Sequence, residues 1–178
     1  MLNRRLLRIK AFKVLFSTWQ DGESALKPAR EELLRSCEKT VDLYYFLLNV
    51  CGSLKQVAYD KIEAARNKFH PTEAERNPNM KFVNNRFFSA LENNEEFQKY
   101  CSRKGLVWGE FDIFVKKLFA SVAASDYYRE YMESAEDSFK ADCLLARRIF
   151  EEELKTTNLS SPFSKSSRSI GSTTSTMC

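Results

Sequence analysis

Apolar positions recur every three or four residues along most of this chain, and no stretch keeps the period of two that a strand needs. A first helix is predicted from about Arg5 to Gln20. In it Ile9, Phe12, Leu15, Phe16 and Trp19 share one broad face, while Leu7, Ala11 and Val14 cover the adjoining side. Only Lys10, Lys13, Ser17 and Gln20 form a polar stripe, so this helix is expected to pack on most of its circumference inside a bundle. Asp21-Gly22 is its predicted stop.

A short helix is expected after Pro28, over Ala29 to Cys37, then a long one from about Thr40 to Phe69. The long helix carries a stripe of Val41, Tyr44, Leu48, Cys51, Leu54, Ala58, Ile62 and Ala65. Gly52 interrupts it at a cost of ~1 kcal/mol against alanine, and His70-Pro71 ends it. Residues 70–80 are polar, hold two prolines and read as a loop. Two short helices follow to Cys101. A helix near Glu110 to Val122 places Phe111, Phe114, Val115, Leu118 and Phe119 on one side. Another opens at a Ser125 or Asp126 cap. The last, about Asp137 to Leu154, carries Phe139, Cys143, Leu144, Ile149 and Phe150. The predicted fold class is all-α: a helical bundle over residues 1–155, its core built from aromatics at helical spacing. Residues 156–178 are mostly Ser and Thr without an acid, and are expected to be a disordered or frameshifted tail.

Composition agrees with this reading. The chain has 178 residues, is 43% hydrophobic and 29% charged, and has only 5 Gly and 4 Pro, which favours helices over disorder. No apolar run approaches the roughly 18 residues of a membrane span, and no signal-peptide core is visible. Five cysteines, an odd number with no C-x-x-C pair, suggest reduced thiols and a cytoplasmic location.

Catalytic signatures are sparse. The single histidine, His70, sits beside a proline in a predicted loop, so H-E-x-x-H is impossible and a triad has one candidate base. No glycine-rich phosphate loop and no Cys/His zinc spacing occur. The acidic runs "NNEEF" and "FEEEL" fit solvated helix faces. A non-enzymatic chain without catalytic residues, metal or cofactor is expected.

Charge placement is the more specific signal. The net charge is +4, yet Arg4, Arg5, Arg8, Lys10 and Lys13 give the first twenty residues +5, leaving −1 for the rest. Arginine offers planar, paired hydrogen bonds to phosphate and stacks on unpaired bases. An RNA-contacting arm of Arg4, Arg5 and Arg8, extended by Lys10 and Lys13, is one reading; a solubilising helix start is the other. Positive charge at a helix N-terminus opposes the macrodipole by roughly 0.3–1 kcal/mol per charge.

Arg4-Arg5-x-x-Arg8, Ala11, Leu15-Phe16-Ser17 and Trp19-Gln20 together resemble the opening of the NusB family of transcription antitermination proteins. "DLYYFLLNVCGSL" is similar to that family's third helix. The run from Met80 to Leu154 resembles its longer Bacteroidetes-type members, in which an added helical segment separates two halves. The resemblance implies an all-α fold that binds boxA-type single-stranded RNA together with ribosomal protein NusE, in complexes that carry RNA polymerase through terminators on ribosomal RNA operons. By position it implies that Arg4, Arg5 and Arg8 contact RNA. Phe16 stands where the family has a tyrosine at the RNA surface, keeping the stacking face without the hydroxyl; a core aromatic is its other reading.

The family's C-terminal helical half, which carries much of the NusE-binding surface, is not recognisable here. A shifted reading frame across Ser164 to Thr176 yields a sequence resembling the family's next helical segment. A truncated or frameshifted product is therefore the expectation. A non-catalytic protein-interaction module and the N-terminal NusB-like domain of an RNA methyltransferase are the alternatives.

Overall fold

Asn3 starts the first helix. Its side-chain oxygen accepts the Leu6 amide at 2.8 Å and its carbonyl accepts Leu7 at 3.1 Å, which satisfies donors that a helix start leaves without partners. The computed structural model describes residues 3–21 and 26–155, and every regular element among them is helical. In chain order these are α1 (Arg4–Asp21), α2 (Leu26–Arg66), α3 (Glu73–Arg76), α4 (Arg86–Glu92), α5 (Glu95–Lys104), α6 (Asp112–Ala124), α7 (Asp126–Glu133) and α8 (Phe139–Arg148). A 3-10 turn at Gly109–Phe111 leads into α6, and a π-helix at Ile149–Leu154 continues α8. The all-α class is therefore shown. The Ser/Thr-rich tail lies outside the described residues, as does Gly22.

Two expectations for the first eighty residues need correction. The helices predicted over Ala29–Cys37 and Thr40–Phe69 are one 41-residue helix, α2. Pro28 falls in its first turn, where a missing N–H costs nothing. The polar stretch around Ser36 to Thr40 stays helical, and the Thr40 hydroxyl is accommodated there by donating to the Ser36 carbonyl at 3.0 Å. The second correction is to the loop at 70–80, which contains α3. Thr72 and Glu75 form a capping box there, with the Thr72 amide donating to Glu75 Oε2 at 2.9 Å and the Glu75 amide to Thr72 Oγ1 at 3.3 Å. Lys68 also pairs with Glu75, and together these bonds hold the carboxyl down at about 2.

The described residues divide into two compact units, 3–21 and 26–50 with 95–107, and 51–94 with 108–155. In the first unit, Tyr45 of α2 stacks on Tyr100 and Phe97 of α5, centroids 4.2 and 5.5 Å apart. The Tyr100 hydroxyl donates to Asp42 at 2.7 Å, and that bond, with burial, pushes Tyr100 up to about 12. Gly105, at φ +65°, ends α5: its amide and that of Leu106 return to the Ser102 and Cys101 carbonyls. The Leu106 carbonyl in turn accepts from Asn49 at 2.8 Å.

The second unit holds the larger core. Leu54, Phe82, Phe88, Val122 and Ile149 are almost wholly buried. α8 packs against α4 and α7, and α6 against α7 and the π-helix. A buried polar cluster joins these elements. Asp142 accepts the Tyr131 hydroxyl at 2.6 Å and the Arg86 amide at 3.0 Å, while Asn85 caps α4 through the Phe88 amide at 3.1 Å. Lys81 donates to the carbonyls of Tyr131 and Ser134, both at 2.7 Å, and lies 4.7 Å over the Tyr131 ring. Burial, then the Asp142 bond, raises the Tyr131 phenol above its ordinary range. Among the described residues no buried side-chain polar atom lacks a partner.

Ser125 caps α7 as expected, accepting the Tyr128 amide at 3.3 Å. Of the large residues expected on the last helix, Ile149 is buried and the rest are not, so its inner stripe is only partly the one they suggested. Asp142, Leu145, Ala146 and Ile149 are inside, and Phe139 and Leu144 are about half exposed.

Candidate nucleic-acid interface

α1 carries every residue singled out by charge. Its half-buried positions are Leu6, Lys10, Ala11, Val14 and Thr18, a single stripe at three- and four-residue spacing. Lys10 lies on this stripe, not on a solvent stripe with Lys13. Its ammonium reaches α2, donating to the Ser36 carbonyl at 2.9 Å and hydroxyl at 2.6 Å. A long aliphatic stem with a charged tip lets lysine take such a half-buried place.

The opposite face of α1 is open to solvent, which corrects the expectation of a helix packed nearly all round. Phe12, Leu15 and Phe16 are exposed, and Trp19 is 88% exposed. The physical reason is the stripe just described: α1 turns its smaller side chains towards the protein, and among the described residues nothing covers the aromatic side. Phe12 and Phe16 stack on each other at 6.2 Å and 23°.

Arg4, Arg5 and Arg8 are exposed on the first two turns of α1. Being helical, they have less freedom than an arm preceding the helix would have. At 3.6 residues per turn they fall on the same outward face as Phe12, Phe16 and Trp19. The first turn holds no acid. Lys13 is also exposed, at one edge of this face. The structure thus gathers Arg4, Arg5, Arg8 and Phe16 on one surface, with Lys13 beside them and Lys10 turned inward. Phe12 and Trp19 join that surface although their spacing read as core. The arginines' position on the same face was the one signal that could have placed them outside.

Such a surface offers guanidinium groups for phosphates and flat apolar faces for bases. Elsewhere, a cavity of about 410 Å³ lies beside α7 and α8, lined by Tyr127, Glu130, Lys140 and Arg148 among others. Arg148 is paired with Glu130 at 3.4 Å. His70 is exposed and packs edge-on against Phe69 at 4.6 Å. Glu151 and Glu152 of the acidic run are exposed, but Glu153 accepts the Ser121 hydroxyl at 2.6 Å. Burial pushes Cys51 up to about 12, so its thiol stays protonated. Among the described residues no group of His, Cys, Asp or Glu is placed to hold a metal ion, and no helix is long and apolar enough to cross a membrane. No family model, curated protein or solved structure matches the chain.

Proposed function

We propose that this chain is a non-catalytic, cytoplasmic RNA-binding factor that takes boxA-type single-stranded RNA on the outward face of α1. With ribosomal protein NusE it modifies RNA polymerase elongation on ribosomal RNA operons. One observation carries the reading: Arg4, Arg5 and Arg8 stand exposed on the face that also presents the stacked pair Phe12–Phe16. A single strand has both groups this face is built to meet, charged phosphates at one edge and unpaired base faces at the other. The resemblance of these positions to the NusB opening supports the same reading.

Filter binding with a boxA-like RNA tests it. Replacing Arg4, Arg5 and Arg8 together by alanine should weaken binding about 10- to 100-fold. It should also flatten the log–log salt slope by about two, at roughly 0.7 for each phosphate left unneutralised. Equal binding by wild type and the triple variant would falsify it. A second reading, a helical protein-interaction module, is favoured by the exposure of Trp19 and Leu15 at the other end of the same face. It predicts no RNA affinity at all.

A further inference from the structure

The exposed side chains of α1 follow a regular order. Arg5, Arg8, Phe12, Leu15 and Trp19 are separated by three, four, three and four residues. That is the seam spacing of a heptad repeat, in which each side chain meets a facing helix. Arg4, Ile9 and Phe16 flank the seam, and all eight are exposed. The seam is divided, with cations in its N-terminal turns and large apolar groups beyond.

We propose that this face pairs with α1 of a second copy of the chain, in antiparallel orientation. The pairing goes beyond the RNA reading and competes with it for the same face, since a dimer covers the Arg5, Arg8, Phe12 and Phe16 side chains that a strand would meet. Charge decides the orientation. A parallel pair would set Arg5 against Arg5 and Arg8 against Arg8. An antiparallel pair centred on Phe12 sets Arg5 opposite Trp19 and Arg8 opposite Phe16, where a guanidinium lies against an aromatic face. The helix ends agree. α1 has no acid in its first turn and no base in its last, so neither end of its dipole is compensated from within. An antiparallel neighbour brings three arginines to the negative end and its own negative end to the arginines. Phe12 then meets Phe12 on a two-fold axis, and the same surface serves both copies.

The area is sufficient. Ile9, Phe12, Leu15, Phe16 and Trp19 together expose on the order of 650 Å² per copy, so pairing would bury about 1,300 Å², within the size of specific protein interfaces.

Sedimentation equilibrium on the full chain, with and without Phe12→Asp, tests the pairing. Phe12 is 69% exposed, so the substitution leaves α1 folded, as circular dichroism would verify; Trp19→Ser is a second, milder variant. The expected result is a wild-type dimer at micromolar concentration. Phe12→Asp should raise its dissociation constant about 100-fold and Trp19→Ser about 10-fold. Arg5→Cys mixed with Trp19→Cys should give disulfide-linked mixed dimers above the level of the unsubstituted chain. A wild-type monomer throughout, open-ended aggregation, or association unaffected by Phe12→Asp overturns the proposal. So does a disulfide joining residue 5 of one copy to residue 5 of the other in Arg5→Cys alone, located by peptide mapping, which means a parallel pair, or association that appears only on adding RNA, which makes the strand the occupant.

Discussion

α1 and α6 both carry large apolar residues at helical spacing, and α6 is the more apolar of the two, yet α1 shows most of them to solvent while α6 buries all but Ile113 and the half-buried Phe114. In α6, Val115, Leu118, Phe119 and Val122 are all buried, and Lys61 lies 4.8 Å over the Phe119 ring. In α1, Phe12, Leu15, Phe16 and Trp19 are exposed, and the tie to α2 on its inner stripe is a lysine on Ser36. The difference lies in what surrounds each helix. α6 belongs to a unit whose buried polar groups, Asn85, Tyr131 and Asp142, bond to one another and across elements, so the arrangement of its helices is specified by directional bonds. The unit containing α1 has such bonds between α2 and the α5 segment, through Asp42–Tyr100 and Asn49–Leu106, and they leave the aromatic face of α1 uninvolved. Spacing decides which residues share a face. Partners decide whether that face is covered.

Denaturant unfolding of matched substitutions would break or sharpen this contrast. Phe88→Ala empties a fully buried site and should cost about 3–5 kcal/mol, whereas Phe12→Ala should stay within about 0.5 kcal/mol of wild type in the monomer. A comparable loss at both sites would mean that α1 is covered in solution. Asp142→Ala comes next, at about 2–4 kcal/mol, because it leaves the Tyr131 hydroxyl and the Arg86 amide without their acceptor. Gly52→Ala should stabilise by about 0.5–1 kcal/mol, since a Cβ there meets only Glu92 Oε1 at 3.9 Å within the continuous α2. The smallest effect concerns Glu75. Its folded carboxyl lies at about 2 against an ordinary 4.5, so its contribution is complete above pH 4.5 and disappears as pH falls to about 2. Glu75→Gln should remove that dependence, read as amide exchange in α3 at several pH values.

Much of the fold was legible in the sequence, because aromatic and aliphatic residues at helical spacing marked seven of the helices. Boundaries were lost where a side chain replaced what a turn residue would signal. The polar Glu38-Lys39 step between two predicted helices is continuous helix, with Thr40 bonding back to Ser36 across it. Thr72-x-x-Glu75 is a readable capping box, concealed among prolines and charges. The π-helix at Ile149–Leu154 widens the turn, so no 3.6-residue pattern could show it or bring Leu154 inside. At the candidate interface, charge identified Arg4, Arg5 and Arg8 correctly as exposed, but apolar content sent Phe12 and Trp19 to a core. Lys10 was misplaced for the converse reason: the sign of a side chain does not say where its stem lies.

The two tryptophans fall one in each unit, Trp108 only 3% exposed and Trp19 88% exposed. They make the chain its own optical instrument. Red-edge emission, open to collisional quenching, comes from Trp19 and changes when anything settles on α1. Blue emission, shielded from quencher, comes from Trp108 and shifts only when the second unit melts. Occupancy of one surface and integrity of the other core are thus separable in a single unlabelled sample, by colour and by quencher.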